Sequence, residues 1–367
     1  MIRTTTFFLL ALLAGQLFAQ SNLPAACGTH LPETFMPGRF SRSNCPMASP
    51  CDDFLRRDAA AWQVGEPIRY IFLNWIVLEP VTLKLPDDRL LALRVSQLND
   101  AFQDVGIQFI NYDLQRIRAV EATSGANFNT LSPYSDQRQE TLNIFLVQSI
   151  EGGWGGFGYF PFQGPSLGAV ILGDGLDFNQ YLLVHEVGHV LGLYHTFAGT
   201  QETSSCSGCY EPATEFDGRS ALGDETGDWC SDTYPADDRN SCATINEAPN
   251  AACDSAGWSN QSLFNYMSYS RCANQISPQQ GARMRCMVET HLGSWANYAE
   301  EEIAREQVKF TVSDTFVLKG TKLNFTDWSL LPADQIESWF WEFDVEQDGR
   351  VSRETSDQKI PPSVTYE

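Results

Sequence analysis

The chain has 367 residues, enough for two or three domains, and is 43% hydrophobic and 12% aromatic, which excludes a disordered or coiled-coil protein. Its 24 basic against 46 acidic residues leave a net charge of −22, which disfavours nucleic acid and anionic membranes as partners. Such acidity suits calcium binding, solubility outside cells or basic substrates.

The N-terminus, MIRTTTFFLLALLAGQLFAQ, carries one early cation, Arg3, then an apolar run from Phe7 to Ala19. This pattern predicts a signal peptide over 1–19, cleaved before Gln20, and so a secreted, extracellular protein. The run is too short to span a bilayer, which takes about 20 apolar residues, and no other segment is long and apolar enough. Residues 20–64, rich in Pro, Ser, Cys and Met, read as a pro-segment or N-terminal arm. Ordered chain begins near Pro67. IRYIFLNWIVL predicts a buried strand, and residues 87–103 place Leu91, Val95, Leu98 and Phe102 at helical spacing. VGIQFINYDL (105–114) and LNIFLVQSI (142–150) read as further strands. A glycine-rich stretch, EGGWGGFGYFPF, precedes a short strand, LGAVILG (167–173), and then a helix over about 179–191. Residues 198–262 are loop-like and crowded with cysteine, so disulfides and a metal are expected to hold them. A helical pattern resumes over 277–305, with Ser277 as N-cap and Pro278 at the first helical position. After Gln307 apolar and polar residues alternate, as in the short strands of a small β-sandwich with no closing strand visible.

Ten cysteines in an exported chain favour disulfides. Cys206 and Cys209 form a lone CxxC pair, for which a disulfide role outweighs a zinc knuckle or redox motif. Cys45 and Cys51 are spaced to close a short loop.

Residues 185–195 read HEVGHVLGLYH and hold three of the five histidines. On a helix, His185 and His189 share one face and can share one zinc ion at about 2.0–2.1 Å. Glu186 is placed to take a proton from a zinc-activated water, as general base. His195 would lie about 80° off that face and about 15 Å along an unbroken helix. Gly192 can end the helix in a left-handed conformation and let His195 return as third ligand. The remaining histidines, His30 and His291, show no partner spacing. Three hydrogen-bonded core histidines would explain neither the glycine nor the glutamate.

The extended HExxHxxGxxH motif followed by FNYMSY resembles the metzincin zinc peptidases. HEVGHVLGLYHTF, GDWCSDTY, NYMSY and ISPQQGARM resemble the pappalysin family within them, over roughly residues 66–290. The resemblance implies an α+β catalytic domain over 65–306, with a twisted mixed sheet, an active-site helix and a methionine turn. It implies Met267 as a hydrophobic floor beneath the histidines, and Tyr269 as a donor to the developing oxyanion. Asp228 and Thr233 match a calcium-binding segment, although Cys230 interrupts it and Tyr234 stands where a proline is expected; a plain acidic loop is the alternative. Family disulfides suggest Cys242 with Cys272, and Cys253 with Cys206 or Cys209. Cys27 is expected in a structural disulfide, with a thiolate cap on the zinc of a latent form as the alternative. Residues 307–367 look like an incomplete PKD-type sandwich, a module for surface or polymer contact. The expected function is hydrolysis of proteins or peptides by a zinc endopeptidase, with LGAVILG edging the cleft. The competing function is a non-catalytic, metal-stabilised binding protein, which the retained Glu186 disfavours.

Overall fold

The computed structural model describes residues 25–29, 36–53, 67–79, 88–119, 125–135, 141–163, 168–172, 181–204, 206–238, 242, 252–295, 310–313, 318–329, 336–347 and 350–365. The segment 1–19 expected as a signal peptide, His30 and the expected domain boundaries at 64 and 306 lie outside them.

The elements in chain order are β1 (Ala25–Cys27), β2 (Arg69–Glu79), α1 (Asp88–Phe102), β3 (Ile107–Arg118), β4 (Leu142–Val147), β5 (Trp154–Gly158), β6 (Ala169–Leu172), α2 (Leu182–Val190) and α3 (Pro278–His291). The first six strands form one sheet in the order β1-β5-β6-β4-β2-β3. β2, β3, β4 and β6 run parallel, β5 is antiparallel to β6, and β1 pairs in parallel with β5. The mixed α+β architecture thus follows the expected one. One detail is corrected: β6, within LGAVILG, is an interior strand, flanked by the glycine-rich β5, and β1 forms the edge of the sheet on that side.

Alternation along β2 explains the layering. Ile71, Leu73, Trp75 and Val77 join one buried cluster with Leu91, Val95, Leu98 and Phe102 of α1 and Leu183, Val184 and Val187 of α2. Ile76 and Leu78 point to the opposite face and pack with Phe145 and Val147 of β4. Each fully buried side chain of this size contributes about 1.5–3 kcal/mol, so the sheet fixes α2 firmly. α3 starts as its sequence predicts. Ser277 Oγ accepts from Gln280 N at 3.2 Å, and Gln280 Oε1 accepts from Ser277 N at 2.9 Å, with Pro278 at the first position. It ends at His291, and residues 296–309 lie outside the described ones.

The N-terminal region divides in two. β1 lies in the sheet. Residues 36–53 are bound to the rest of the chain by Cys45–Cys209 and Cys51–Cys286. This corrects the expected Cys45–Cys51 loop: each cysteine instead crosses to a distant segment. The arm is also held by a buried ion pair, Asp52 Oδ1 with Arg283 Nη2 at 2.6 Å. Cys242–Cys272 and Cys206–Cys253 form as the resemblance implies.

Beyond α3, β7 (Phe310–Val312) pairs with β9 (Phe325–Asp327), β8 (Lys322–Leu323) with β12 (Val364–Thr365), and β10 (Trp341–Gln347) with β11 (Arg350–Ser356). Among the described residues these are three separate antiparallel ladders. Trp328 reaches into the main core cluster.

Candidate metal centre and cleft

The helix α2 carries His185, Glu186 and His189, all buried. Leu191 is its C-cap, and Gly192 follows with φ +92°. Gly192 N donates to His189 O at 2.8 Å and Leu193 N to Gly188 O at 2.9 Å, closing the helix end. The chain then turns back, and His195 Nε2 lies 3.1 Å from His189 Nε2. His185 Nε2 lies 3.2 Å from the same atom.

Three facing nitrogens need an explanation, and their far sides supply it. His185 Nδ1 faces Tyr266 O at 2.7 Å, His189 Nδ1 faces Leu193 O at 2.7 Å, and His195 Nδ1 faces Glu202 Oε1 at 2.9 Å. Carbonyl and carboxylate oxygens only accept, so each Nδ1 carries the hydrogen and each Nε2 presents a lone pair. Burial pushes the His185 pKa down to about 3, with His195 adding to the effect. Burial lowers His189 well below the ordinary range too. Neutral lone pairs converging in a buried site repel unless a cation lies between them. Zinc–nitrogen bonds of about 2.0–2.1 Å at a tetrahedral angle place nitrogens roughly 3.3 Å apart, close to the distances seen.

Cys27, a free buried thiol and not half of the expected structural disulfide, completes the group. Its Sγ is 3.5 Å from His189 Nε2 and 3.3 Å from Glu186 Oε2. The four candidate ligand atoms of Cys27, His185, His189 and His195 lie within 4.8 Å of one another. A tetrahedral zinc with one sulfur at about 2.3 Å puts sulfur and nitrogen roughly 3.5 Å apart. The donor set therefore fits zinc with all four positions taken. Burial and the Glu186 carboxylate push the Cys27 thiol above its ordinary pKa; a bound dication would work against both. Burial also raises Glu186, whose Oε1 has no hydrogen-bond partner among the described residues.

β1 pairs in parallel with β5 on the side away from β6. Gly28 N donates to Gly156 O at 2.9 Å, and Thr29 Oγ1 accepts from Gly158 N at 2.9 Å. Gly156 is needed there, because a Cβ would come within 2.7 Å of Glu186 Oε1. Tyr269 Oη donates to Cys27 O at 3.0 Å. Met267 is fully buried in the cluster that holds Val184 and Val187, and its carbonyl accepts from Thr196 N at 3.2 Å.

Asp228 and Thr233 are both buried but bonded to each other. Thr233 Oγ1 donates to the two Asp228 oxygens at 3.0 and 2.9 Å, and Cys230 N donates to Oδ1 at 3.0 Å. Sequence reasoning missed Glu211 beside them. Both its carboxylate oxygens are buried with no hydrogen-bond partner among the described residues. Burial first, then Asp228, raises its pKa. It missed Glu202 as well. Neither acid sits at a spacing that marks it in one sequence. His291, assigned no partner, has Nε2 3.1 Å from Ser49 Oγ.

No family model matches the chain. It is 34% identical to human pappalysin-1 over 163 residues, which is 42% of this chain and 10% of that protein. It is 28% identical over 227 residues to an extracellular metalloprotease of Trichophyton verrucosum, covering 55% of this chain and 71% of the relative. The chain thus spans about a tenth of pappalysin-1. Among solved structures, a promirolysin mutant of Tannerella forsythia matches with a TM-score of 0.50 and 17% identity, over 75% of this chain and 98% of that one; this likeness bears on the fold. Relatives named as metalloproteases, a promirolysin-like α+β fold and a buried three-histidine site together support a zinc metalloprotease, a hydrolase.

Proposed function

We propose that the chain is a secreted zinc endopeptidase of pappalysin type, held latent by Cys27. The observation that carries the reading is the convergence of three histidine lone pairs and a thiol on one buried point, under a strand that occupies the cleft edge. Zinc bound there supplies Lewis-acid polarisation of a carbonyl and lowers the pKa of water.

The chain's own groups supply the rest. With β1 displaced, an extended substrate pairs with β5 by main-chain hydrogen bonds. Glu186 takes a proton from the attacking water through its partnerless oxygen. The hydroxide joins the carbonyl carbon, the C–N bond breaks, and Glu186 returns the proton to the leaving amine. Tyr269, whose hydroxyl now serves Cys27 O, is placed to donate to the developing oxyanion. Met267 acts as the floor of the site. Calcium is the second ion we propose, near Asp228 and Thr233, with Glu211 as the acid that needs it. Four disulfides and relatives named as extracellular support export. Among the described residues no helix is long and apolar enough to cross a membrane. The C-terminal strands, with Phe310 and Phe340 exposed, serve as a PKD-like contact module for surfaces or polymers.

Cleavage of denatured protein substrates tests the reading. Cys27→Ala is expected to cleave without prior processing. Glu186→Ala in that background is expected to lose about 10²–10⁴-fold, and a chelator to abolish the activity. Equal inertness of Cys27→Ala and the double variant would sink the peptidase claim.

A further inference from the structure

We propose that Glu202 is a positioning residue of the metal site, fixing and polarising His195. The inference rests on the zinc-peptidase reading. Two of the three histidines are oriented by the backbone, through Tyr266 O and Leu193 O. Only His195 gives its Nδ1 hydrogen to a side chain, at 2.9 Å. Its need is also greatest. His185 and His189 are held by the helix, whereas His195 stands on the return loop after Gly192 and depends on what surrounds its ring.

The loop is shaped to deliver that carboxylate. Thr200 N and Gln201 N both donate to Phe197 O, at 3.0 and 2.9 Å, and Thr203 Oγ1 donates to Gly199 O at 3.1 Å. These bonds curl the chain so that Glu202 arrives behind His195. Phe197 stacks on the other side, with ring centroids 4.4 Å apart and planes 14° from parallel. The His195 ring is thus gripped at its face and at its Nδ1. The side chains of His195 and Glu202 are 1% and 15% exposed, so water competes little for the bond.

Charge makes the contact more than a fastener. Three neutral imidazoles bring no charge to a dication. In the latent form the Cys27 sulfur offers one negative charge, and it leaves on activation. Glu202 then keeps a carboxylate one hydrogen bond from a ligand, orienting the His195 ring and polarising it toward a bound cation. Its contribution is therefore largest in the opened site.

The test uses Cys27→Ala as parent, with Glu202→Ala and Glu202→Gln added. Metal-free protein is titrated with zinc against a chromophoric chelator, and with cobalt(II) while its visible absorption is followed. Glu202→Ala is expected to weaken zinc binding about 10- to 100-fold and to shift the cobalt band. Glu202→Gln keeps an acceptor without the charge. It is expected to fall between the two in affinity and to restore the parent's cobalt spectrum. A merely structural role would lower thermal stability of the metal-free protein and leave the cobalt spectrum alone. Parent-like zinc affinity and cobalt spectra in both variants overturn the inference. A parent that binds no zinc overturns the metal site itself, which is a separate failure.

Discussion

Gly192→Ala tests whether the helix stop makes the third histidine usable. Gly192 has φ +92°, where an L side chain costs about 1–2 kcal/mol. The new Cβ would also be driven into Met287, within 2.9 Å of both its Sδ and Cε. Met287 is fully buried against the Cys51–Cys286 bridge, with Ser49 Oγ at 3.5 Å from its sulfur. Overpacking at such a site costs about 1–3 kcal/mol. The expected loss in urea unfolding of the metal-free protein is therefore about 2–5 kcal/mol. Zinc affinity should fall with it, because the turn that returns His195 is displaced. Met287→Ala separates the two causes. Paired with Gly192→Ala it removes the clash and leaves the backbone strain, so the cycle should return a favourable coupling of about 1–3 kcal/mol. A Gly192→Ala protein that unfolds within about 0.5 kcal/mol of the parent and binds zinc equally would refute the reasoning.

The buried acids predict an unusual pH response. Burial raises both Glu211 and Asp228, so the folded metal-free protein holds protons that the unfolded chain releases. Stability from this pair is present at acid pH and declines as pH rises from the ordinary carboxylate range, about 4, toward neutrality. A cation replaces those protons, so calcium should raise the melting temperature more at pH 8 than at pH 5; equal shifts would count against the site. Asp52→Ala leaves Arg283 charged, fully buried and without its 2.6 Å partner. It should cost about 3–5 kcal/mol in urea unfolding, and a loss under about 1 kcal/mol would show that the pair is not what secures the arm.

What the sequence made legible was local. HEVGHVLGLYH announced its geometry because two ligands share one helical face and a glycine ends that helix. Ser277 and Pro278 announced α3 because capping chemistry is confined to four residues. The long strands showed through runs of buried apolar residues. β5 did not, because WGGFG lacks the branched side chains that mark strands; Gly156 is there for the close approach of Glu186. The arm's disulfides were illegible for a different reason. Their partners lie 164 and 235 residues apart, and nothing in a cysteine's neighbours names its mate. Glu202 and Glu211 look like any other acids until the fold buries them.

On the proposed reading of a peptidase held latent by Cys27, the two disulfides of the arm decide which cut can activate it. Among the described residues β1 is held at the cleft by hydrogen bonds and the Cys27 contact, with no disulfide of its own, and its chain continues to an arm that is covalently fixed at Cys45 and Cys51. Hydrolysis of a peptide bond between Cys27 and Cys45 leaves β1 on a separate fragment, held by those contacts alone. Hydrolysis after Cys51 leaves β1 joined through the arm to Cys209 and Cys286, so its effective concentration at the cleft stays high. A foreign protease site placed at 31–34 should therefore yield active enzyme when cut, and the same site placed at 56–61 should not. Reduction after the second cut should weaken that tether and bring activity in slowly. Equal activation from both sites without reductant would show that latency does not depend on where the strand is tied.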